Sequence, residues 1–255
     1  MKRRTALKAL SATMVAAAVD FASAASAEDL AAKTVVLVHG AFADGSAWAG
    51  VTPLLEEAGL DVISVQNPLD SLAGDVAFTQ RAINRAEGPV VLVGHSWGGQ
   101  VITEAGLDDK VKSLVYVAAY APDPGQSLGE AAELDKFPAK GIEALQQDKD
   151  GYFFLPDEAM ANLFAHDVPA AETKIMAATQ GLLNSKALGE PVTNAAWQSK
   201  PSFYVIAGED YMTPTALQRQ FAEKIGAKAH EIDASHAVAV SQPEFVADVI
   251  IEAAK

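Results

Sequence analysis

The 255 residues include no cysteine, so neither a disulfide framework nor a thiolate metal site is available to this chain. Basic residues are few. Lys and Arg number 19 against 33 Asp and Glu, for a formal net charge of −14. That balance argues against nucleic acid or an anionic membrane as a partner and mildly disfavours anionic substrates. No His/Asp/Glu spacing suggests a metal site, and neither Gly-x-Gly-x-x-Gly nor a P-loop occurs, so no metal, nucleotide or other cofactor is expected. Internal repeats and low-complexity tracts are also missing. What is abundant is apolar side chain, 50% of the residues, which suits one globular domain with a sizeable core.

The first 27 residues differ from the rest. Lys2-Arg3-Arg4 is a basic start, Ala9 to Val19 is apolar, and Ala25-Ser26-Ala27 has the small-residue form of a cleavage site. The apolar stretch is short of the roughly 20 residues that span a bilayer. The paired arginines resemble a twin-arginine export signal. The usual Phe is absent, and Asp20 interrupts the end of the apolar segment. Residues 1–27 are therefore expected to be an export signal, with a periplasmic or secreted product, and 28–255 a single domain.

Thr34 to Val38, Asp61 to Val65, Pro89 to Val93, Val111 to Ala119, Phe203 to Ala207 and Ala229 to Ile232 read as strands. Near-continuous β-branched runs such as Thr34-Val35-Val36-Leu37-Val38 mark strands buried on both faces. Between them, Trp48 to Ala58, Asp75 to Ala86, a segment from Gln100, Pro214 to Ile225 and Pro243 to Ala254 carry apolar residues at helical spacing. The alternation predicts an α/β fold, a mostly parallel sheet with helices on both faces. It breaks over about 122–196. That stretch is too long for an ordinary loop and is expected to form a small helical cap over the carboxyl ends of the strands.

The chemistry centres on Gly94-His95-Ser96-Trp97-Gly98-Gly99, placed between a predicted strand and a predicted helix. In that context Gly-x-Ser-x-Gly is a nucleophile elbow. Glycines flank a serine held in a strained turn, and the first helical N–H groups face the charge that develops beside it. A serine hydroxyl needs a base, a group to orient the base, and donors for an oxyanion. Of the five histidines, His236 lies in a loop between the last strand and the last helix, where a base should hang over the crevice. His230 reads as a strand residue, His39 and His95 as local hydrogen-bonding groups beside tight turns, and His166 as a solvated cap residue. For the acid, Asp210 follows one strand and precedes a helix. Asp123 is its rival after the preceding strand, and Glu209 should point away. The oxyanion donors expected are the N–H groups of Trp97 and Ala41, with Phe42 next in line. Phe42, Tyr120 and Phe154 are the candidates for substrate contact, because such sites are mostly apolar.

Several blocks fall in order along nearly the whole chain after residue 27: Val36-Leu37-Val38-His39-Gly40-Ala41, Leu54-Leu55-Glu56-Glu57-Ala58-Gly59, Val93-Gly94-His95-Ser96, Val117-Ala118-Ala119-Tyr120-Ala121-Pro122-Asp123, Glu209-Asp210 with Pro214, and Ser235-His236. Together they resemble the branch of the α/β-hydrolase fold that holds plant methylesterases, α-hydroxynitrile lyases and many bacterial esterases. The resemblance implies the α/β-hydrolase fold, Ser96, Asp210 and His236 as a triad, and hydrolysis of a small neutral carboxylic ester without a cofactor. It also lowers Asp123, since the aspartate at that place is usually not the acid in this branch. The lyases of the branch carry threonine at the position of Gly40 and lysine at that of Ala237. Both departures favour ester hydrolysis over cyanohydrin cleavage. Lyase or perhydrolase activity on the same triad, and a ligand-binding protein on a hydrolase fold, are the alternatives. The ester and the oligomeric state are left open.

Overall fold

A computed structural model describes residues 30–255; the expected export signal over 1–27 lies outside the described residues. The chain opens with β1 (Thr34–Val38), whose five residues are all buried. A single 3₁₀ turn, Gly45–Trp48, then precedes α1 (Val51–Glu57). The helix expected from Trp48 therefore starts later, because the Asp44 carboxylate accepts the Ser46 N–H at 2.6 Å and caps a separate short turn. Next come β2 (Asp61–Val65), α2 (Leu72–Arg85), β3 (Val90–His95), α3 (Trp97–Ala105) and β4 (Val111–Val117). Ser71 caps α2 by accepting the Gly74 N–H at 3.1 Å, which starts that helix three residues ahead of Asp75.

A long insertion follows. It holds α4 (Leu128–Ala131), α5 (Lys140–Glu143), β5 (Gln146–Gln147), β6 (Tyr152–Phe154), α6 (Asp157–Ala159) with a π-helical turn at Met160–Phe164, α7 (Ala170–Thr179) and β7 (Leu183–Asn184). The three short strands pair antiparallel in the order β5-β6-β7. The cap is thus not purely helical as expected. Strands of two or three residues lie below what periodicity in a sequence can reveal. The chain returns to the main sheet with β8 (Ser202–Ala207), α8 (Thr215–Lys224), β9 (Lys228–Ile232), α9 (Val238–Ser241) and α10 (Pro243–Ala253).

The main sheet has the order β2-β1-β3-β4-β8-β9, and every pairing in it is parallel. The two-residue alternation of side chains divides its core. Val35, Leu37, Val91, Val93, Val115 and Val117 pack with Trp48, Val51, Leu55, Val246 and Ile250 on the face of α1 and α10. Val36, Val38, Leu92, Leu114 and Tyr116 pack with Ile83, Val101, Ile102, Leu217 and Phe221 on the face of α2, α3 and α8. Burying each such side chain is worth about 1.5–3 kcal/mol, which explains why these β-branched runs form the centre of the molecule.

The strand order also places the site. From β1 the chain leaves toward β2, then returns to lay β3 on the other side of β1. The connections after β1 and β3 therefore part at the carboxyl edge and leave a crevice between them. The cap is inserted between the neighbouring strands β4 and β8, on the same edge.

Candidate active site

Ser96 sits between β3 and α3 at φ 53° and ψ −119°, a backbone conformation that costs a non-glycine residue on the order of 1–3 kcal/mol. Three main-chain bonds hold it there. Its N–H donates to the Val117 carbonyl at 3.1 Å, and its carbonyl accepts from Gly99 at 2.9 Å and Tyr120 at 3.3 Å. The flanking glycines are required by space. A Cβ on Gly94 would strike the Gly98 carbonyl, and one on Gly98 would lie 2.5 Å from the Val38 carbonyl of β1.

His236, 1% exposed, stands in the loop after β9, and its Nδ1 donates to Asp210 Oδ2 at 2.7 Å. This leaves Nε2 with its lone pair free to act as a base. Asp210 is held as firmly. Oδ1 accepts the Met212 and Thr213 N–H groups at 2.7 and 2.9 Å, and Oδ2 also accepts Gln218 Nε2 at 2.8 Å. The rival Asp123 is elsewhere, 3.1 Å from Lys224 Nζ, and Glu209 is exposed. The structure thus brings Asp210 and His236 together and leaves Asp123 in a partly exposed ion pair.

Two donors expected for an oxyanion stand apart from the third. The Phe42 N–H donates to the Gly181 carbonyl at 3.0 Å and is occupied. Neither the Ala41 nor the Trp97 N–H meets an acceptor among the described residues. Trp97 opens α3, where an N–H has no partner within its own helix. Both residues line the cavity onto which Ser96 opens.

That cavity, of about 90 Å³, is roofed by the insertion through Leu128, Leu134, Ile142, Leu145, Phe153 and Leu188. Phe42 and Tyr120 are on its wall. Phe154 is not; its neighbour Phe153 takes that place. The reason is the two-residue alternation of β6. Phe153 pairs with Leu183 of β7, also on the wall, so Phe154 faces the other side of the small sheet.

Four supporting residues escape a reading of the sequence. Gln218 lies fully buried on the apolar face of α8. It donates to Asp210 Oδ2 and to the Thr213 carbonyl, and accepts the Ala207 N–H at 3.0 Å. A glutamine between Leu217 and Phe221, in the first turn of the helix that follows Asp210, is the signal that could have found it. His95 does not bond locally as expected. Its Nε2 donates to the His236 carbonyl at 2.9 Å, and the two rings lie 4.7 Å apart. Burial, with His236 as the next cause, holds His95 well below the ordinary histidine range, so it stays neutral. The cap supplies the other two. The Phe164 ring meets His236 edge to face at 4.9 Å and its carbonyl accepts the Ala237 N–H, while Asp167 accepts the Ser235 N–H at 3.0 Å.

The remaining histidines have structural partners. His39 Nδ1 donates to the Gly40 carbonyl at 2.8 Å while Nε2 accepts the Asn67 N–H at 2.9 Å, and burial keeps it neutral. His166 is half-buried, bonded to the Glu209 carbonyl at 3.0 Å, where a solvated side chain was expected. His230 is on β9, as its place in an alternating run predicts.

A family model described as the alpha/beta hydrolase family matches residues 35–249. Among curated relatives, the pyrethroid hydrolase of Sphingobium wenxiniae is 28% identical over 245 residues, covering 86% of each chain. The polyneuridine aldehyde esterase of Rauvolfia serpentina is 27% identical over 252 residues, covering 86% of this chain and 95% of the relative. The alpha-hydroxynitrile lyase of Arabidopsis thaliana is 26% identical, covering 84% and 93%. A crystal structure of polyneuridine aldehyde esterase superimposes with a TM-score of 0.75 over 87% of this chain and 98% of that one, at 24% identity.

Proposed function

The chain belongs to the alpha/beta hydrolase family, and from that premise we propose that it is a serine esterase cleaving small neutral carboxylic esters through an acyl-enzyme on Ser96. The observation that carries this reading is the 2.7 Å bond from His236 Nδ1 to the buried Asp210 carboxylate, together with a strained serine that opens onto an apolar cavity.

In this mechanism Ser96 attacks the ester carbonyl as His236 Nε2 takes its proton. The oxyanion forms against the Ala41 and Trp97 N–H groups. A single donor of this kind is worth about 10²–10³ in rate. Asp210 stabilises the imidazolium, which then protonates the departing alcohol. Water, activated by the same histidine, releases the acid and restores Ser96. The acyl group is the part that stays bonded to the serine, so it is assigned to the enclosed cavity, and the alcohol leaves toward solvent.

The esterase reading is favoured over a cyanohydrin lyase by Gly40. A Cβ there would lie 2.7 Å from Ser96 Cβ and 3.0 Å from His95 Nδ1, so the threonine carried by the lyases of this branch does not fit this backbone. A periplasmic or secreted location, from the arginine pair at the amino terminus, belongs to the same proposal.

The test is labelling with a fluorophosphonate probe, followed by turnover of short-chain 4-nitrophenyl esters. Wild type should label at Ser96 and turn over, and Ser96→Ala should lose both, with a rate loss of about 10⁶. Undiminished ester turnover by Ser96→Ala would overturn the reading.

A further inference from the structure

Two spaces in the molecule share a single wall residue, Phe42, among the described residues. One is the cavity above Ser96. The other is a groove of about 200 Å³ between the 3₁₀ turn Gly45–Trp48 and helix α7 of the cap. Ala43, Ala47, Met176 and Val240 make the groove largely apolar, and no basic side chain lines it. Its rim meets solvent, since Ile175 on α7 is 63% exposed. Phe42 itself is buried.

The backbone at Phe42 is forced into place. Its φ of 61° lies in the left-handed region, which a residue with a side chain adopts only where its surroundings over-determine it. Here the cap does so. The Phe42 N–H donates to the Gly181 carbonyl at 3.0 Å, and the Gly181 N–H donates to the Ala43 carbonyl at 3.3 Å. A Cβ on Gly181 would lie 3.0 Å from that carbonyl oxygen and 2.6 Å from Leu69 Cδ1, so a glycine permits the close approach of cap and loop. Strain of this kind collects at positions with a function. The neighbour Ala41 carries the N–H assigned to the oxyanion, so Phe42 borders the acyl carbons nearest the scissile carbonyl.

We infer that Phe42 is a specificity-determining partition, which closes the acyl cavity against the groove and restricts substrates to esters with no bulky branch beside the carbonyl. The inference rests on the esterase reading and deepens it by naming the class of acyl group. A linear chain runs under the cap, past the partition. A large α-substituent meets Phe42. With the ring removed, cavity and groove join, and an apolar α-branch gains the groove as its site.

The experiment compares 4-nitrophenyl butanoate with 4-nitrophenyl 2-ethyl-4-phenylbutanoate, whose branch is long enough to pass the partition. Each kcat/KM is divided by the rate of hydroxide-catalysed hydrolysis of the same ester. In wild type the branched-to-linear ratio should be well below one. Phe42→Ala should raise it by about 10- to 100-fold, and Phe42→Leu, a milder truncation that keeps the test open where Phe42→Ala does not fold, by about threefold or more. Adding Ile175→Trp, an exposed substitution that fills the groove, should return the ratio to the wild-type value. The inference is overturned if neither Phe42 variant changes the ratio, if the gain survives Ile175→Trp, or if every ester is slowed equally, which would make Phe42 only a support of the loop. It is also overturned if the gain falls on the alcohol, with 2-phenylethyl butanoate improving over methyl butanoate in place of the acyl pair. Calorimetric binding of butanamide and 2-ethyl-4-phenylbutanamide to Ser96→Ala, with and without Phe42→Ala, separates this inference from the esterase reading. A tenfold gain for the branched amide on adding Phe42→Ala upholds the partition even where the fluorophosphonate probe fails to label. No gain overturns it where labelling succeeds.

Discussion

The floor of the cavity consists of the loops that leave β1, β3, β4 and β8, and the groups held there and in the His236 loop after β9 are bonded several times over. Asp210 accepts from two backbone N–H groups, a glutamine and a histidine, and His236 is held at its ring and at its carbonyl. The roof is made of helices of three or four residues, strands of two or three, and a π-helical turn. Its side chains toward the cavity are aliphatic or aromatic and offer shape in place of direction. Hydrogen bonds join the two at many points. Tyr152 of β6 donates to Asp70 at 2.6 Å, the Asn184 N–H reaches the Leu69 carbonyl at 2.9 Å, and Phe164 and Asp167 support the His236 loop. On the proposed function this difference is a division of labour: precision lies in loops attached to rigid strands, and selectivity in an insertion that offers shape.

That division is open to test. The largest effect should come from the floor. Asp210→Asn places an amide against His236 Nδ1 and disfavours the tautomer that leaves Nε2 basic, so kcat should fall by about 10⁴, whereas Asp123→Asn should stay within about threefold. Equal losses in steady-state assays would give the two aspartates equal standing and break the comparison. One step further out, Gln218→Leu removes a donor from the Asp210 carboxylate. Its kcat/KM should drop by about 10- to 100-fold with a smaller change in KM, because the lost bond matters most when His236 is charged.

The roof should respond in preference more than in rate. Phe153→Ala enlarges the cavity, and the ratio of kcat/KM for long over short acyl chains should rise by about tenfold, as one or two methylenes in an apolar pocket allow. A uniform loss across chain lengths would mean that the roof also positions the floor.

The last expected effect is on stability and not on rate, and lies beneath the elbow. Asp75 is fully buried, accepts from Trp97 Nε1 and the Leu69 N–H, and burial raises it to about 6. A carboxyl that titrates higher when folded than when unfolded binds its proton more tightly in the native state. Stability should therefore decline as pH rises from about 4 to 6, by up to about 3 kcal/mol. Chemical denaturation across that window should show the decline in wild type and a flatter profile in Asp75→Asn. An unchanged slope would remove Asp75 as its source.

Much of the floor was legible in the sequence because its signals are local and periodic. The β-branched runs of β1 and β3, the glycines about Ser96, and the loop positions of Asp210 and His236 each follow from a few neighbouring residues. The supports were not legible. Gln218 and His95 look like ordinary helix and strand residues until the fold sets them against Asp210 and the His236 carbonyl. Phe153 and Phe154 are adjacent, chemically identical aromatics. Only the pairing of β6 with β7 turns one of them to the cavity.

The sequence by itself determined the parallel sheet, the elbow and the placing of Ser96, Asp210 and His236 after strands, because strand burial and tight turns depend on residue types within a few positions of one another. Only the tertiary structure decided that Asp210 and not Asp123 meets His236, that the Phe42 N–H is occupied while those of Ala41 and Trp97 meet no acceptor among the described residues, and that Phe153 and not Phe154 lines the cavity. Each of those outcomes joins groups far apart in the chain, and no local propensity encodes which of several equivalent side chains the packing will bring together.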